Sequence, residues 1–319
     1  MAQRVLILTD GKAGHENQSR ALCEALNWDY DRLRVAYPPA HKPLSYVFDW
    51  LGCHPSFLFQ TEWIERAEGE AQESGYRAVV GAGSTTYYPL KCMARRLACA
   101  SVAILTPRGY RYGFDCVVSP EYDNPPKRDT VVTVPVNLCA VDPERYRAEA
   151  AAFAARHRQQ GPAVGFVVGG DSATCSLDAA QLRAQIEQAR ALLPGCEFWV
   201  TTSRRTPPEV DALVDELAFD YRLIYRRTPE VNPTPAFIAL CDRLFVTADS
   251  ASMISETVCF GHAAVEILPV RQKRANRKFA RLIDGLQERG CAHLFDGELA
   301  EARTKIDLGE HLHTVRSCI

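Results

Sequence analysis

The stretch Phe245-Val246-Thr247-Ala248-Asp249-Ser250-Ala251-Ser252-Met253-Ile254-Ser255-Glu256 runs from an apolar, β-leaning segment through small hydroxyl and acidic residues into a helical pattern. A strand that turns straight into a helix is the building unit of a parallel α/β sheet. Ser252 and Glu256 stand four apart and share one helix face. Asp249 or Ser250 can cap that helix, leaving its first N–H groups aimed into the space beyond the strand end. Donors suited to phosphate and a carboxylate suited to sugar hydroxyls then share one crevice, as a nucleotide-sugar site requires.

The same alternation extends in both directions. Val5–Leu8, Leu33–Ala36, Ala78–Val80, Val102–Leu105, Cys116–Val118 and Val131–Val134 read as strands of a first half, with helices at Asn17–Leu26, Thr61–Glu73 and Leu90–Leu97. Ala163–Val168, Phe198–Thr201, Tyr221–Tyr225, Leu244–Val246 and Ala264–Leu268 read as strands of a second. Its helices lie near Leu177–Leu193, Pro208–Ala218, Pro235–Leu240, Ser252–Phe260 and Lys273–Arg289. Between the halves, Asn124-Pro125-Pro126-Lys127-Arg128-Asp129 is a loop, and Asp142-Pro143 opens a helix with a cap followed by proline. The expected fold is therefore α/β, with two doubly wound, Rossmann-like domains facing a cleft. Residues 1–141 form the first; residues 142–319 form the second, including a linker helix over 142–160 and the C-terminal tail.

Composition narrows the function. The 319 residues carry a net charge of −2, which argues against a dedicated nucleic-acid binder. Twelve cysteines occur without a Cys-x-x-Cys pair, as expected of reduced structural thiols in the cytoplasm. The eight histidines are dispersed, so no metal site and no cofactor are expected. The N-terminal apolar run is too short for a signal peptide, and no segment approaches the ~20 apolar residues of a membrane span. Aromatic residues crowd the segment between Tyr46 and Phe59 (Phe48, Trp50, Phe57, Phe59), read as buried core in preference to a membrane-facing loop. Arg274, Arg277, Lys278 and Arg281 share one side of a helix and read as a solvated face.

Ligands of open α/β sheets bind outside the carboxyl ends of the strands, so the residues after each apolar run name the site. In the second half these are Gly169-Gly170-Asp171-Ser172, where glycine permits close backbone approach, and Thr202-Ser203-Arg204-Arg205-Thr206-Pro207. The third is the opening stretch, with Asp249, Ser250, Ser252 and Glu256. In the first half, Asp10-Gly11-Lys12-Ala13-Gly14-His15-Glu16-Asn17-Gln18 follows the first strand, and Gly83-Ser84 supplies a second polar strand end. Neither is a P-loop or a dinucleotide fingerprint. A glycine-flanked His15 at a cleft mouth can serve as general base, because imidazole titrates near neutral pH.

These motifs together resemble the "elongated mitochondria" mitochondrial-fission family in its bacterial branch. The family is in turn similar to GT-B glycosyltransferases such as the peptidoglycan lipid-intermediate transferase. The resemblance implies a C-terminal domain that holds a nucleotide diphosphate sugar, with a glutamate at the position of Glu256 on the ribose, and an N-terminal domain that presents the acceptor. Gly169, Gly170 and Ser172 would then hold phosphate oxygens, with Ser203, Asp249, Ser250 and Ser252 beside them. Arg204 or Arg205 would neutralise the departing diphosphate without a metal. His15 would activate the acceptor in an inverting transfer, within an acceptor-side set of Asp10, Gly11, Lys12, Gly14, Asn17, Gln18 and Ser84. Bacterial relatives are associated with sugar addition to lipo-oligosaccharide, which implies a glycolipid acceptor and peripheral contact with the inner membrane. The plant branch acts as a fission adaptor, so a non-catalytic binding protein and a nucleotide-sugar epimerase stand as the alternatives.

Overall fold

The computed structural model describes residues 3–65, 75–140 and 142–319. The chain forms two compact units, Met1–Ala140 with Asp307–Ile319, and Val141–Ile306. The tail expected with the second domain therefore belongs to the first.

The first unit runs β1 (Gln3–Thr9), α1 (Ala13–Ala25), β2 (Trp28–Ala36), α2 (His41–Trp50), β3 (Gln60–Glu65), β4 (Ala78–Ala82), α3 (Tyr87–Leu97), β5 (Ala100–Ile104), β6 (Cys116–Pro120) and β7 (Val131–Val134). These strands form one sheet in the order β3-β2-β1-β4-β5-β6-β7, parallel except for β3, which runs antiparallel to β2. Central strands such as β4 (Ala-Val-Val-Gly-Ala) are buried along their whole length, because helices cover both faces of a parallel sheet. Leu6, Leu8, Val79, Tyr87, Tyr88, Leu90 and Val117 make the core.

In the second unit come α4 (Pro143–Ala154), β8 (Ala163–Val167), β9 (Cys175–Ser176), α5 (Ala179–Leu192), β10 (Glu197–Thr201), α6 (Pro208–Glu216), β11 (Tyr221–Leu223) and α7 (Thr234–Leu240). They continue as β12 (Arg243–Thr247), α8 (Ala251–Cys259), β13 (Ala264–Leu268), β14 (Arg271–Gln272), α9 (Arg277–Glu288) and β15 (His293–Leu294). The main sheet is wholly parallel, ordered β11-β10-β8-β12-β13-β15, with a small β14-β9 pair beside it. Numbered within the unit, that order is 3-2-1-4-5-6, the arrangement of dinucleotide-binding folds. Phe166 stacks on Phe245 at 4.9 Å in its core. Asp142 caps α4 by accepting from the Glu144 and Arg145 amides, and α4 packs on α7. The linker helix is thus an integral layer of this unit. Two short helices, α10 (Leu308–Leu312) and α11 (Val315–Cys318), complete the first unit.

Three segments differ from the sequence expectation. Residues 61–65, read as the start of a helix, lie in the exposed edge strand Gln60–Glu65 paired with β2; the rest of that segment lies outside the described residues. Residues 13–16, read as loop before the helix, are the first turn of α1, because a three-residue turn suffices to enter the helix. The aromatic segment is only partly core: Leu58 and Phe59 are buried, whereas Trp50 and Phe57 are exposed.

Candidate functional site

Both sheets reverse their winding beside the first strand of the unit, and at these switch points adjacent strand ends diverge to leave a crevice. In the second unit the point lies between β8 and β12. Gly169 and Gly170 follow β8 where two other strand ends close in. A Cβ on Gly169 would lie 2.0 Å from Asp249 Oδ1, and one on Gly170 would lie 2.1 Å from the Arg205 carbonyl carbon. The Gly169 amide donates to Thr247 Oγ1 (2.7 Å) and the Gly170 amide to Asp249 Oδ2 (2.9 Å). Arg205 grips Asp249 Oδ2 (3.0 Å) and the Asp171 carbonyl (3.0 Å), while Thr206 Oγ1 donates to the Gly169 carbonyl (2.5 Å).

The buried Asp249 side chain is thus a bolt through three loops. Burial raises its pKa, and the donors from Thr247, Gly170 and Arg205 counter that only in part. In the structure the two glycine amides and Arg205, expected to face a phosphate, donate within the protein. Ser172 likewise accepts from the Thr174 and Cys175 amides and closes a turn.

Beside this lock lies a cavity of about 270 Å³ lined by Val167, Thr201, Thr202, Ser203, Arg204, Tyr225, Val231, Asn232, Thr234, Met253 and Glu256. Three expected site residues, Ser203, Arg204 and Glu256, come together here. Arg204 is exposed and makes no ion pair among the described residues, unlike Arg205. Ser250 caps α8 by accepting from the Met253 amide (3.4 Å), with Ser252 exposed in the first turn. Glu256, on the same helix, accepts from the Tyr146 hydroxyl (2.9 Å). Burial raises the Glu256 pKa; the Tyr146 bond and the Arg145 charge oppose that less strongly. Tyr146, on α4, and Tyr225, Asn232 and Thr234 were not found from sequence. Tyr225 ends a strand run that was recognised, and scanning its carboxyl end would have revealed it.

In the first unit the switch point lies between β1 and β4. Gly11 (φ +78°) turns the chain into α1, and Asp10 accepts from the Lys12 amide (3.2 Å). His15 Nδ1 sits 3.2 Å from both Asp10 oxygens, and Lys12 Nζ sits 3.2 Å from Oδ2. Burial opposes charge on Asp10, but the His15 and Lys12 contacts outweigh it and hold the carboxyl well below the usual range. Gly83 (φ +85°) is required twice over, because a Cβ there would stand 2.3 Å from the His15 ring. A carboxylate on Nδ1 orients an imidazole so that Nε2 is left to accept a proton, the base-and-orienter arrangement of many active sites. Gln18 is buried and donates to the Gly14 carbonyl, Asn17 is exposed, and Ser84 Oγ accepts from Lys42 Nζ (3.1 Å).

Two Rossmann-like units, each with polar groups gathered at its switch point, define the class: an α/β protein of the GT-B architecture. The UDP-GlcNAc 2-epimerase of Methanocaldococcus jannaschii shares the fold, with a TM-score of 0.52 and 10% identity over 99% of each chain. A UDP-glucosyltransferase from Polygonum tinctorium aligns with a TM-score of 0.49 and 11% identity over 100% of this chain and 93% of that one. The family model described as mitochondrial fission ELM1 matches residues 13–313, and the chain belongs to that family. The mitochondrial fission protein ELM1 of Arabidopsis thaliana is 24% identical over 370 aligned positions, 93% of this chain and 85% of that protein.

Proposed function

We propose that the protein is a glycosyltransferase that moves a sugar from a nucleotide diphosphate sugar to a cell-envelope glycolipid, with inversion and without a metal. The observation that carries this is the cavity where an unpaired Arg204 and Ser203 meet Met253 and Glu256 of α8. A guanidinium fork suits a diphosphate, and a carboxylate accepts well from a vicinal diol. Arg204 takes the role of stabilising the leaving diphosphate. His15 takes the acceptor proton through Nε2, oriented by Asp10. The acceptor oxygen then bonds to the anomeric carbon as the bond from that carbon to the diphosphate breaks. The nucleotide diphosphate departs with the bonding pair.

The test is calorimetry with a panel of nucleoside diphosphates and their sugars on the wild type and Glu256→Ala. One nucleotide bound selectively, and lost in the variant, supports the donor site and names the base for assays with acceptor extracts. No binding across the panel removes the reading in favour of an adaptor. Sugar interconversion with donor alone would favour an epimerase.

A further inference from the structure

Helix α2 packs Tyr46 and Phe48 against the core yet turns a second apolar stripe outward. Its buried residues are Ser45 and Asp49, while Leu44, Val47 and Trp50, together with Leu51 just beyond, are exposed. A surface helix ordinarily turns its apolar stripe inward. Trp50 is 73% exposed, and Phe57 in the following loop is 67% exposed. The inward polarity has a structural reason: Asp49 accepts from Lys91 Nζ (2.6 Å), His54 Nε2 (2.9 Å) and the Arg111 amide (2.8 Å). Burial disfavours its charge, but the His54 and Lys91 bonds prevail and hold the carboxyl at about 2. Lys91 itself is pulled downward by burial, which one carboxylate shared among three donors does not fully offset. The buried polar face leaves the outward apolar stripe with nothing to cover it within the first unit.

The same network borders a cavity of about 550 Å³ lined by Lys91, Arg95, Arg111 and Arg128 with His54, Tyr110 and Tyr112, where Asp49 is the one carboxylate. Arg95 donates to the Gly52 carbonyl and to His54, Arg111 to the Trp50 carbonyl, and Arg128 lies over the Tyr112 ring. Among the described residues none of these three arginines pairs with a carboxylate. Guanidinium groups without counter-ions, held beside exposed tryptophan, phenylalanine and leucine, match a surface that is anionic at its headgroups and apolar beneath them.

We propose that α2, the 51–57 loop and the arginine-lined cavity form a docking surface for an anionic phospholipid bilayer. Trp50, Phe57, Leu44 and Val47 enter the interface, and Arg95, Arg111 and Arg128 take the headgroup phosphates. The surface is built from the first unit alone and stands whether or not the second unit binds a nucleotide.

The experiment is co-sedimentation of the full chain with phosphatidylcholine vesicles that contain or lack phosphatidylglycerol. The expected result is binding to the anionic vesicles only, with a blue shift of tryptophan emission that Trp50→Ser removes. The combined Arg95→Gln, Arg111→Gln and Arg128→Gln variant should partition on the order of 100-fold less, from the attraction of each basic residue to an anionic surface. All substituted positions are exposed, so melting curves that match the wild type exclude loss of fold as the cause. No binding to anionic vesicles, or equal binding by the triple variant, overturns the proposal. So does a dimer abolished by Trp50→Ser in place of vesicle binding, which assigns the face to a second copy. Full displacement from vesicles by free glycerol phosphate overturns it as well, by reducing the site to a headgroup pocket.

Discussion

In the proposed ribose role Glu256 must carry charge where burial makes charge costly, and this gives it a measurable signature. In the unfolded chain a glutamate titrates near about 4.3, whereas in the fold burial raises Glu256 above that. The folded state therefore holds the proton to higher pH. The stability tied to this group is fully present below the unfolded value and is lost as pH rises through the folded one. Glu256→Gln should flatten that pH dependence in denaturant melts and should not destabilise the protein at neutral pH. A nucleotide diol that donates to the carboxylate favours its charged form, so wild-type affinity should fall as pH drops through the raised value. In calorimetry the Gln variant should bind more weakly by about 1.5–3 kcal/mol and lose the pH slope; a slope that survives would remove Glu256 from the ribose role. The two adjacent arginines separate in the same assay. Arg204→Ala should weaken nucleoside diphosphate binding by about 1.5–3 kcal/mol at unchanged stability. Arg205→Ala leaves Asp249 short of a partner and should lower stability first. Equal affinity in Arg204→Ala and the wild type would contradict the assignment. For His15, Asp10→Asn should leave nucleotide affinity intact and cut turnover roughly 10²- to 10⁴-fold, the range for proton transfer by a positioned group.

The loop after β8 owes its path to the loops that follow β10 and β12, so its glycines act on whole elements. A Cβ at Gly170 meets Arg205 backbone, which cannot rotate away as a side chain can. Gly170→Ala should therefore displace the 203–206 loop, lower stability by about 1–3 kcal/mol, and weaken nucleotide binding through Ser203 and Arg204. Unaltered melting and affinity would show that the loops are not locked. The strands that carry these loops were legible in sequence because each is a short apolar run with hydroxyl, glycine or arginine at its end. The contacts that follow were not legible, since Arg204 and Arg205 are identical in composition and only tertiary packing turns Arg205 onto Asp249. β3 misled for a related reason. Every residue of this edge strand is exposed, so Thr61-Glu62-Trp63-Ile64-Glu65 lacks a strand's burial alternation and reads as helix. α2 escaped notice because its apolar residues point both ways, Tyr46 and Phe48 to the core and Leu44, Val47 and Trp50 outward, so no single stripe marks it.

For the molecule as a whole, two doubly wound sheets follow from strands and helices in alternation, whereas the strand order of each comes from the tertiary fold. The path of the tail does not follow from that pattern. The chain leaves the first unit at Ala140 and returns at Asp307, so residues distant in sequence complete one core. α10 packs on α1 and β7, α11 packs on β6, and Leu312 and Val315 are fully buried. Arg316 donates to the Leu26 carbonyl (2.6 Å), and Arg77 donates to the terminal Ile319 carbonyl (3.1 Å). The tail is therefore structural for the unit that holds His15. Leu312→Ala should cost about 2–5 kcal/mol of that unit's stability, the usual range for a buried leucine. Nucleotide saturation at 100 times Kd should stabilise the second unit by about 2.7 kcal/mol in wild type and variant alike. Hydrogen exchange resolves the two effects: faster exchange should appear in β1, α1, β6 and β7, with unchanged nucleotide protection in β8, β10 and α8. Loss of nucleotide affinity in the Leu312→Ala variant, with β1 and α1 still protected, would instead tie the tail to the second unit's site.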